Sequence, residues 1–324
     1  MRLRAAVAAA ALLAVLAPTP AVTQVRGVLP KVLTLPASTR AMALGNAYQP
    51  TARHADGLFY NPALLVGSTG FGIEIQQWSH ESSSATAAAA GPWLGGGVAI
   101  GLQSLQFSQP STSAPDGQDH LFASGRVAVS ERVATVGYAR KLFGVELGGA
   151  AKLAEVRLGG ARSTVALVDL GAARGVGPFV VGLAVKDLGE RPFDAEDDGE
   201  GEGGDREGEK EGEGEGEGAD SPRIVLGAGA YGQPVGIFDL GLSAAVSHGD
   251  DRTSVGGGVE LGYWPVNGRT FLVRLGAQSV PSGSDASPLT FGFAFWGDDL
   301  RLEWAYQDFG ASGSGTHRFG VSWH

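Results

Sequence analysis

From Phe71 to the end of the chain, apolar residues recur at every second position in short runs broken by Gly, Pro, Asn, Asp and Ser, the pattern of strands joined by turns. In Phe291-Gly292-Phe293-Ala294-Phe295 three aromatics share one face and small residues the other. In 271–278, Phe271, Val273 and Leu275 oppose Arg274, Gly276 and Gln278; in 300–307, Leu302, Trp304 and Tyr306 oppose Arg301, Glu303 and Gln307. Read through, the pattern gives fourteen strands near 71–80, 84–91, 96–107, 120–142, 144–158, 163–175, 177–188, 223–232, 236–248, 252–264, 269–279, 287–296, 300–309 and 316–324. One stretch has a second reading, since Ser130-Glu131-Arg132 would also serve as a turn that splits the fourth strand and makes fifteen. Alternation alone suits a soluble sandwich as well as a membrane barrel, because the apolar face points inward in one and outward in the other.

The connections separate the two. Counted as fourteen strands, the even connections are tight, at Pro92 to Gly95, Phe143-Gly144, Val176-Gly177, Gln233 to Val235, Pro265 to Arg269 and Gly297-Asp298-Asp299. Most odd ones are longer, at Ser108 to Asp119, Gly159 to Arg162, Gly189 to Pro222, Gly249 to Asp251, Val280 to Ala286 and Gly310 to Gly315. Short turns on one rim and longer loops on the other, with an even strand number and both termini on the short-turn side, describe a bacterial outer-membrane barrel. Trp93, Tyr231, Tyr263, Trp264, Trp296 and Trp323 fall at strand ends on the short-turn side, where an interfacial girdle belongs. Ala85 to Leu102 carries no charge, yet Pro92 and Gly95-Gly96-Gly97 would break a helix at its centre, so two strands and a turn account for it. The fold class expected is an all-β, membrane-spanning antiparallel barrel over 71–324.

The ends and the composition agree with export. Met1-Arg2-Leu3-Arg4, an apolar run from Ala5 to Ala17 and Pro18-Thr19-Pro20-Ala21 form a secretory signal too short to span a bilayer. It is expected to occupy 1–23, with Gln24 as the mature N-terminus. Residues 24–70 lack strand alternation and are expected to form an N-terminal plug segment. The 52 glycines argue against helices, and the absence of cysteine removes disulfides and thiolate metal sites. Of the 34 acidic residues, 15 lie between Glu190 and Asp220 beside 3 of the 24 basic ones, so this segment carries −12 of the net −10 and the remainder is +2. The insert over 190–221, ending in alternating Glu and Gly, cannot bury a core and reads as a disordered spacer on the long-loop side. It lacks the ligand spacing of a calcium loop, and no basic patch interleaved with aromatics points to nucleic acid.

Arg40-Ala41-Met42-Ala43-Leu44-Gly45-Asn46-Ala47-Tyr48, followed by Ala55-Asp56-Gly57-Leu58-Phe59-Tyr60-Asn61-Pro62-Ala63, resembles the opening of PorV/PorQ-type outer-membrane proteins, relatives of the FadL fatty-acid transporters. Later blocks resemble the family in order: Tyr138-Ala139-Arg140-Lys141, Gly148-Gly149-Ala150-Ala151-Lys152, Asp169-Leu170-Gly171, Lys186-Asp187-Leu188-Gly189, Pro222-Arg223 and Thr316-His317-Arg318-Phe319-Gly320. The resemblance implies a fourteen-stranded barrel whose N-terminal segment folds back as a plug, with Asn61, Pro62 and Ala63 as the plug motif. The chain departs from the family where Leu64-Leu65 replaces a glycine after that motif, and where it ends in Trp323-His324 rather than on an aromatic.

Candidate chemistry is sparse. His80, His120, His248 and His317 fall at the outer rim with Asp119, Asp250 and Asp251, as water-facing positions do, and no Gly-x-Ser-x-Gly nucleophile motif accompanies them. The reading is non-enzymatic, with no catalytic residue, metal or cofactor. Glu146, Lys152, Asp169, Lys186, Asp239, Glu260, Arg274, Arg301 and Glu303 fall on the small-residue face. They must point into the lumen, because an Arg or Lys facing lipid at mid-membrane costs about 2–4 kcal/mol. Their near balance of sign suggests a self-paired lumen rather than an ion-selective pore. Two functions remain: a partner or shuttle for exported proteins, or a general structural role, as in PorV/PorQ-type members, and passive FadL-like transport of hydrophobic small molecules. The loops hold few apolar residues, which favours the first; the partners expected are outer-membrane lipid with exported proteins or hydrophobic ligands.

Overall fold

A computed structural model describes residues 29–48, 53–79, 81–110, 126–159, 161–189, 222–249, 252–266, 268–281, 283–310 and 315–323. The signal at 1–23, the insert at 190–221 and the start of the fourth expected strand lie outside these residues.

The fourteen strands are β1 Gly70–Ser79, β2 Ser82–Trp93, β3 Gly96–Pro110, β4 Arg126–Leu142, β5 Val145–Leu158, β6 Ala161–Val176, β7 Phe179–Leu188, β8 Arg223–Val235, β9 Phe238–Gly249, β10 Arg252–Val266, β11 Arg269–Gln278, β12 Leu289–Trp296, β13 Leu300–Gln307 and β14 Thr316–Trp323. Each pairs antiparallel with its sequence neighbours, and β1 pairs with β14 to close the barrel. Closure removes the sheet edge, so every strand finds its hydrogen-bonding partners within the chain.

Ser130-Glu131-Arg132 runs through the middle of β4, paired with β3 on one side and β5 on the other, so the even count holds. About the turn that joins β10 to β11, Glu260 faces Arg274, Leu261 faces Val273 and Tyr263 faces Phe271, so charged residues meet on the inner face and apolar ones on the outer. One turn falls later than its expected 233–235. Those residues pair with β9, and the chain reverses at Gly236-Ile237 after an irregularity between Ala230 and Gln233. Gly236 supplies the positive φ of 68° that such a tight turn requires.

Alternation sets the two faces. Ile73, Ile75, Leu102, Leu170, Leu226, Leu275, Phe293 and Phe319 are exposed on the outside, while Ala99, Thr135, Ala150, Asp169, Glu260, Arg274 and Leu272 are buried inside. Trp93, Tyr263, Trp264 and Trp323 are exposed at the short-turn rim; the side chain of Tyr231 lies outside the described set. Trp296 departs from the girdle reading. With Phe291, Phe293 and Phe295 outward, the next position turns in, and the Trp296 ring lies under the guanidinium of Arg301 at 4.4 Å from its centroid. The wall is uneven in height: β3 to β6 hold 14 to 17 residues, β12 to β14 only 8.

Candidate functional site: the filled lumen

The described part of the N-terminal segment runs as short turns inside the barrel. A 3-10 turn at Lys31–Leu33 leads to helix α1 at Thr39–Ala43, then to 3-10 turns at Ala55–Phe59 and Pro62–Leu65. Ala41, Met42, Ala43, Leu44, Leu58, Ala63, Leu64 and Leu65 are all but inaccessible to solvent. These elements are too short to be stable alone. Packing against the wall holds them.

Glycine makes the room, and this is where much of the glycine excess goes. A Cβ at Gly258 would stand 2.8 Å from the Cα of Leu44, and one at Gly292 2.7 Å from the Cβ of Ala43, so β10 and β12 are bare where the end of α1 rests. Gly45 itself sits at φ +64°, where a Cβ would also lie 2.8 Å from the Gly257 carbonyl oxygen. Across the lumen a Cβ at Gly137 would meet Leu58 at 2.5 Å and one at Gly148 would meet Pro62 at 2.5 Å. Two inner surfaces are cleared of side chains, and both are filled by the segment.

The motif Asn61-Pro62-Ala63 forms one anchor. Asn61 Oδ1 accepts from the Ala63 amide at 3.0 Å, capping the turn that Pro62 opens. Its Nδ2 donates to the carbonyls of Ala172 and Leu183 at 3.1 and 3.2 Å, on β6 and β7. The last turn, Leu64-Leu65, is buried against the wall.

Charges supply the other anchors. Arg40 donates to Glu260 at 2.9 Å; Glu260 accepts from Arg274 at 2.5 Å, and Arg274 donates to Glu303 at 2.7 Å. Arg53 grips Glu146 with both terminal nitrogens, at 2.7 and 3.0 Å. Arg301 meets the imidazole of His54 at 2.7 Å. Lys152 pairs with Asp169 at 2.6 Å and Asp187 at 2.7 Å, while Lys186 donates to the Phe59 carbonyl at 2.6 Å. Asp239, half-buried on β9 near the short-turn rim, stands apart from these networks. The nine predicted lumen charges thus all lie on inward positions, and four of them, Glu146, Lys186, Glu260 and Arg301, touch the N-terminal segment directly.

Sequence reasoning missed several members. Arg318, wholly buried, donates to Glu74 at 2.9 Å, to Gln76 and Thr86 at 3.0 Å and to the Ala37 carbonyl at 2.8 Å. Glu74 also accepts from the amide and hydroxyl of Thr39. Glu131 accepts from the Val32 amide at 2.8 Å. Glu74 was marked by alternation, opposite Phe71, Ile73 and Ile75, whereas Glu131 was not, because it shares its inward face with Val129 and Val133. Asp187 carried no such mark: an irregularity between β6 and β7 turns both it and Lys186 inward, with Asp187 at φ 62°.

Cavities remain around the segment. One opens at the short-turn rim between His54, Asp56, Glu74 and Trp323. Another lies towards the long-loop rim between Leu33, Leu35, Phe59, Tyr60 and Val225, with Lys186, Arg223, Ser247, Ser254 and Gln278 at its wall. Burial pushes the carboxyl of Asp56 above the ordinary carboxylate range, opposed by its hydrogen bonds, one of them from Tyr48 at 2.8 Å. Among the described residues no group of three or more His, Asp or Glu is arranged to hold a metal ion. His248 and His317 lie at the long-loop rim, hydrogen-bonded to Thr253 and Trp304; His80, Asp119, His120, Asp250 and Asp251 lie outside the described residues.

No family model and no curated protein matches the chain. Among solved structures, the chain is similar to a TodX deltaS2S3 mutant, a monoaromatic hydrocarbon channel, at a TM-score of 0.53 and 10% identity, covering 88% of this chain and 96% of that one. The Pseudomonas putida toluene transporter TodX aligns at 0.48 and 10% identity over 93% and 98%, and the KdgM porin at 0.35 and 10% identity over 79% and 99%. The first of these likenesses shows that the fold is that of an outer-membrane barrel.

Proposed function

We propose that the protein sits in the outer membrane and is a passive, FadL-like channel for small hydrophobic molecules, gated by its N-terminal segment as a plug. The observation that carries this is the larger cavity. It lies at the long-loop end, is walled by Leu33, Leu35, Phe59 and Tyr60 of the segment itself, and reaches Val225 and Ala245 together with polar Lys186, Arg223, Ser247, Ser254 and Gln278 of the barrel. A ligand entering there would rest on the plug, so displacing the plug would pass it on. Apolar and aromatic side chains of the segment facing polar groups of the wall offer a small, largely apolar molecule both contact area and orientation. The similar hydrocarbon channel supports the transport class. Proteoliposomes holding the chain should take up toluene faster than empty liposomes while excluding a charged sugar of similar size; equal rates would refute the channel.

A second reading, the PorV/PorQ-type partner of exported proteins, draws on a different observation. Arg40, Arg53 and the Phe59 carbonyl tie the segment to β10, β5 and β7, so the lumen is braced from several sides. A braced lumen suits a scaffold that presents its rim. Capture of an exported protein from solubilised outer membranes, with no toluene flux, would favour this reading.

A further inference from the structure

The outer surface of the tall side of the barrel changes character in one step. Leu102, Ala134, Leu153 and Ala166 form a continuous outward row across β3 to β6. The next row is Ser104, Arg132, Glu155 and Thr164, and the one above it Gln106, Ser130, Arg157 and Arg162. From Val145 to Glu155 the strand rises roughly 33 Å at about 3.3 Å per residue, or roughly 25 Å along the barrel axis at a tilt of ~40°. That is the height of the apolar band of an outer-membrane barrel. The three arginines therefore stand at the level of the outer-leaflet headgroups.

Their arrangement sets like charges side by side. Arg157 and Arg162 are directly opposed across β5 and β6, a like-charge pairing that destabilises a sheet. Glu155 stands between them, accepting from Arg157 at 2.5 Å through one oxygen and from Arg162 through the other. Arg132 is the cross-strand neighbour of that same Glu155, is exposed, and has no ion-pair partner among the described residues. Three arginines thus stand around Glu155 on an outward face. At this height β1 and β2 present Gln77 and Ser83 instead, and β14 presents His317, so the charge is local to β4 to β6.

We propose that this arginine cluster binds phosphate groups on the headgroups of outer-leaflet lipids. The guanidinium fork matches a phosphate in two parallel hydrogen bonds, and a phosphate between Arg157 and Arg162 turns their repulsion into a bridge. The apolar row just below receives the acyl chains of the same lipid. Binding here orients the tall wall and fixes the depth at which the barrel sits. The inference rests on the outer-membrane placement proposed above and is independent of what the lumen conducts.

The test uses the purified full-length chain in phosphatidylcholine nanodiscs, with a bisphosphorylated glycolipid or its dephosphorylated form as the probe, and bound lipid read by native mass spectrometry. Wild type should retain the phosphorylated glycolipid and not the dephosphorylated one. With about 1 kcal/mol per arginine near a lipid surface, roughly fivefold in affinity, Arg132→Gln should weaken retention about fivefold and the triple change with Arg157→Gln and Arg162→Gln about a hundredfold. Arg140→Gln with Arg174→Gln, at the opposite rim, should change nothing. Arg132→Gln breaks no ion pair, so it remains informative if the triple variant fails to fold. Equal retention of the two glycolipids, or of wild type and Arg132→Gln, would overturn the proposal. A chain that enters no bilayer at all would overturn the membrane placement with it, and nanodisc incorporation reads that separately.

Discussion

Replacing Arg274 by alanine tests how the lumen charges are coupled. Arg274 is fully buried between Glu260, itself 1% exposed, and the partly wetted Glu303. Removing one partner of a buried pair costs about 3–5 kcal/mol. Here the lower end applies, because Glu260 keeps Arg40 at 2.9 Å, and Glu303 is the group left short. The four-residue network of Arg40, Glu260, Arg274 and Glu303 is neutral in the wild type, carries one net negative charge in Arg274→Ala, and is neutral again when Glu260→Ala is added. Arg274→Ala should therefore be more destabilised than the double variant by about 1–2 kcal/mol, within the usual range for residues in one network. The assay is urea unfolding of the refolded barrel in detergent, followed by tryptophan fluorescence, with heat-modifiable gel migration as the check on folding. A double variant as unstable as the sum of its two single changes would refute the coupling.

Asn61→Ala removes the cap and both carbonyl contacts to β6 and β7, together about 2–3 kcal/mol of plug docking at roughly 1 kcal/mol per interaction; conductance in planar bilayers should rise, and an unchanged trace would argue that the segment is no plug. Deleting 194–218 should leave heat-modifiable migration intact, whereas its loss would mean that the acidic insert takes part in assembly. Asp56 ionises less readily in the docked segment than in the free chain, so docking is unpenalised at acid pH and weakens as pH rises through and above the carboxylate range. Asp56→Asn should accordingly stabilise the fold at pH 8, with the gain fading as the pH falls below the ordinary carboxylate pKa; a gain independent of pH would refute that account.

The strands are legible in the sequence because the two sides of a barrel wall impose opposite chemistries on alternate residues, so β11, β12 and β13 can be read almost residue by residue. The Glu260 and Arg274 pair follows from the same rule once the turn is placed. What alternation cannot show is where the period breaks: Asp187 beside Lys186, and the late turn at Gly236, each depend on an extra residue in one strand. Nor can it show contacts between distant segments. Arg40, Arg53 and His54 lie where no period operates, and their partners Glu260, Glu146 and Arg301 are set by how the segment folds back. The glycines facing that segment read in sequence only as a general excess. Their role appears when Leu44, Leu58 and Pro62 are seen lying against them.

The central claim is that the N-terminal segment gates the lumen, and a disulfide reads it directly because the chain has no cysteine of its own. Ala43 on α1 and Ala305 on β13 share one buried cluster, so Ala43→Cys with Ala305→Cys should lock the segment to the wall on oxidation. Toluene flux into proteoliposomes carrying this variant should stop when the bond forms and return when it is reduced. Equal flux in the locked and reduced forms would contradict the gate.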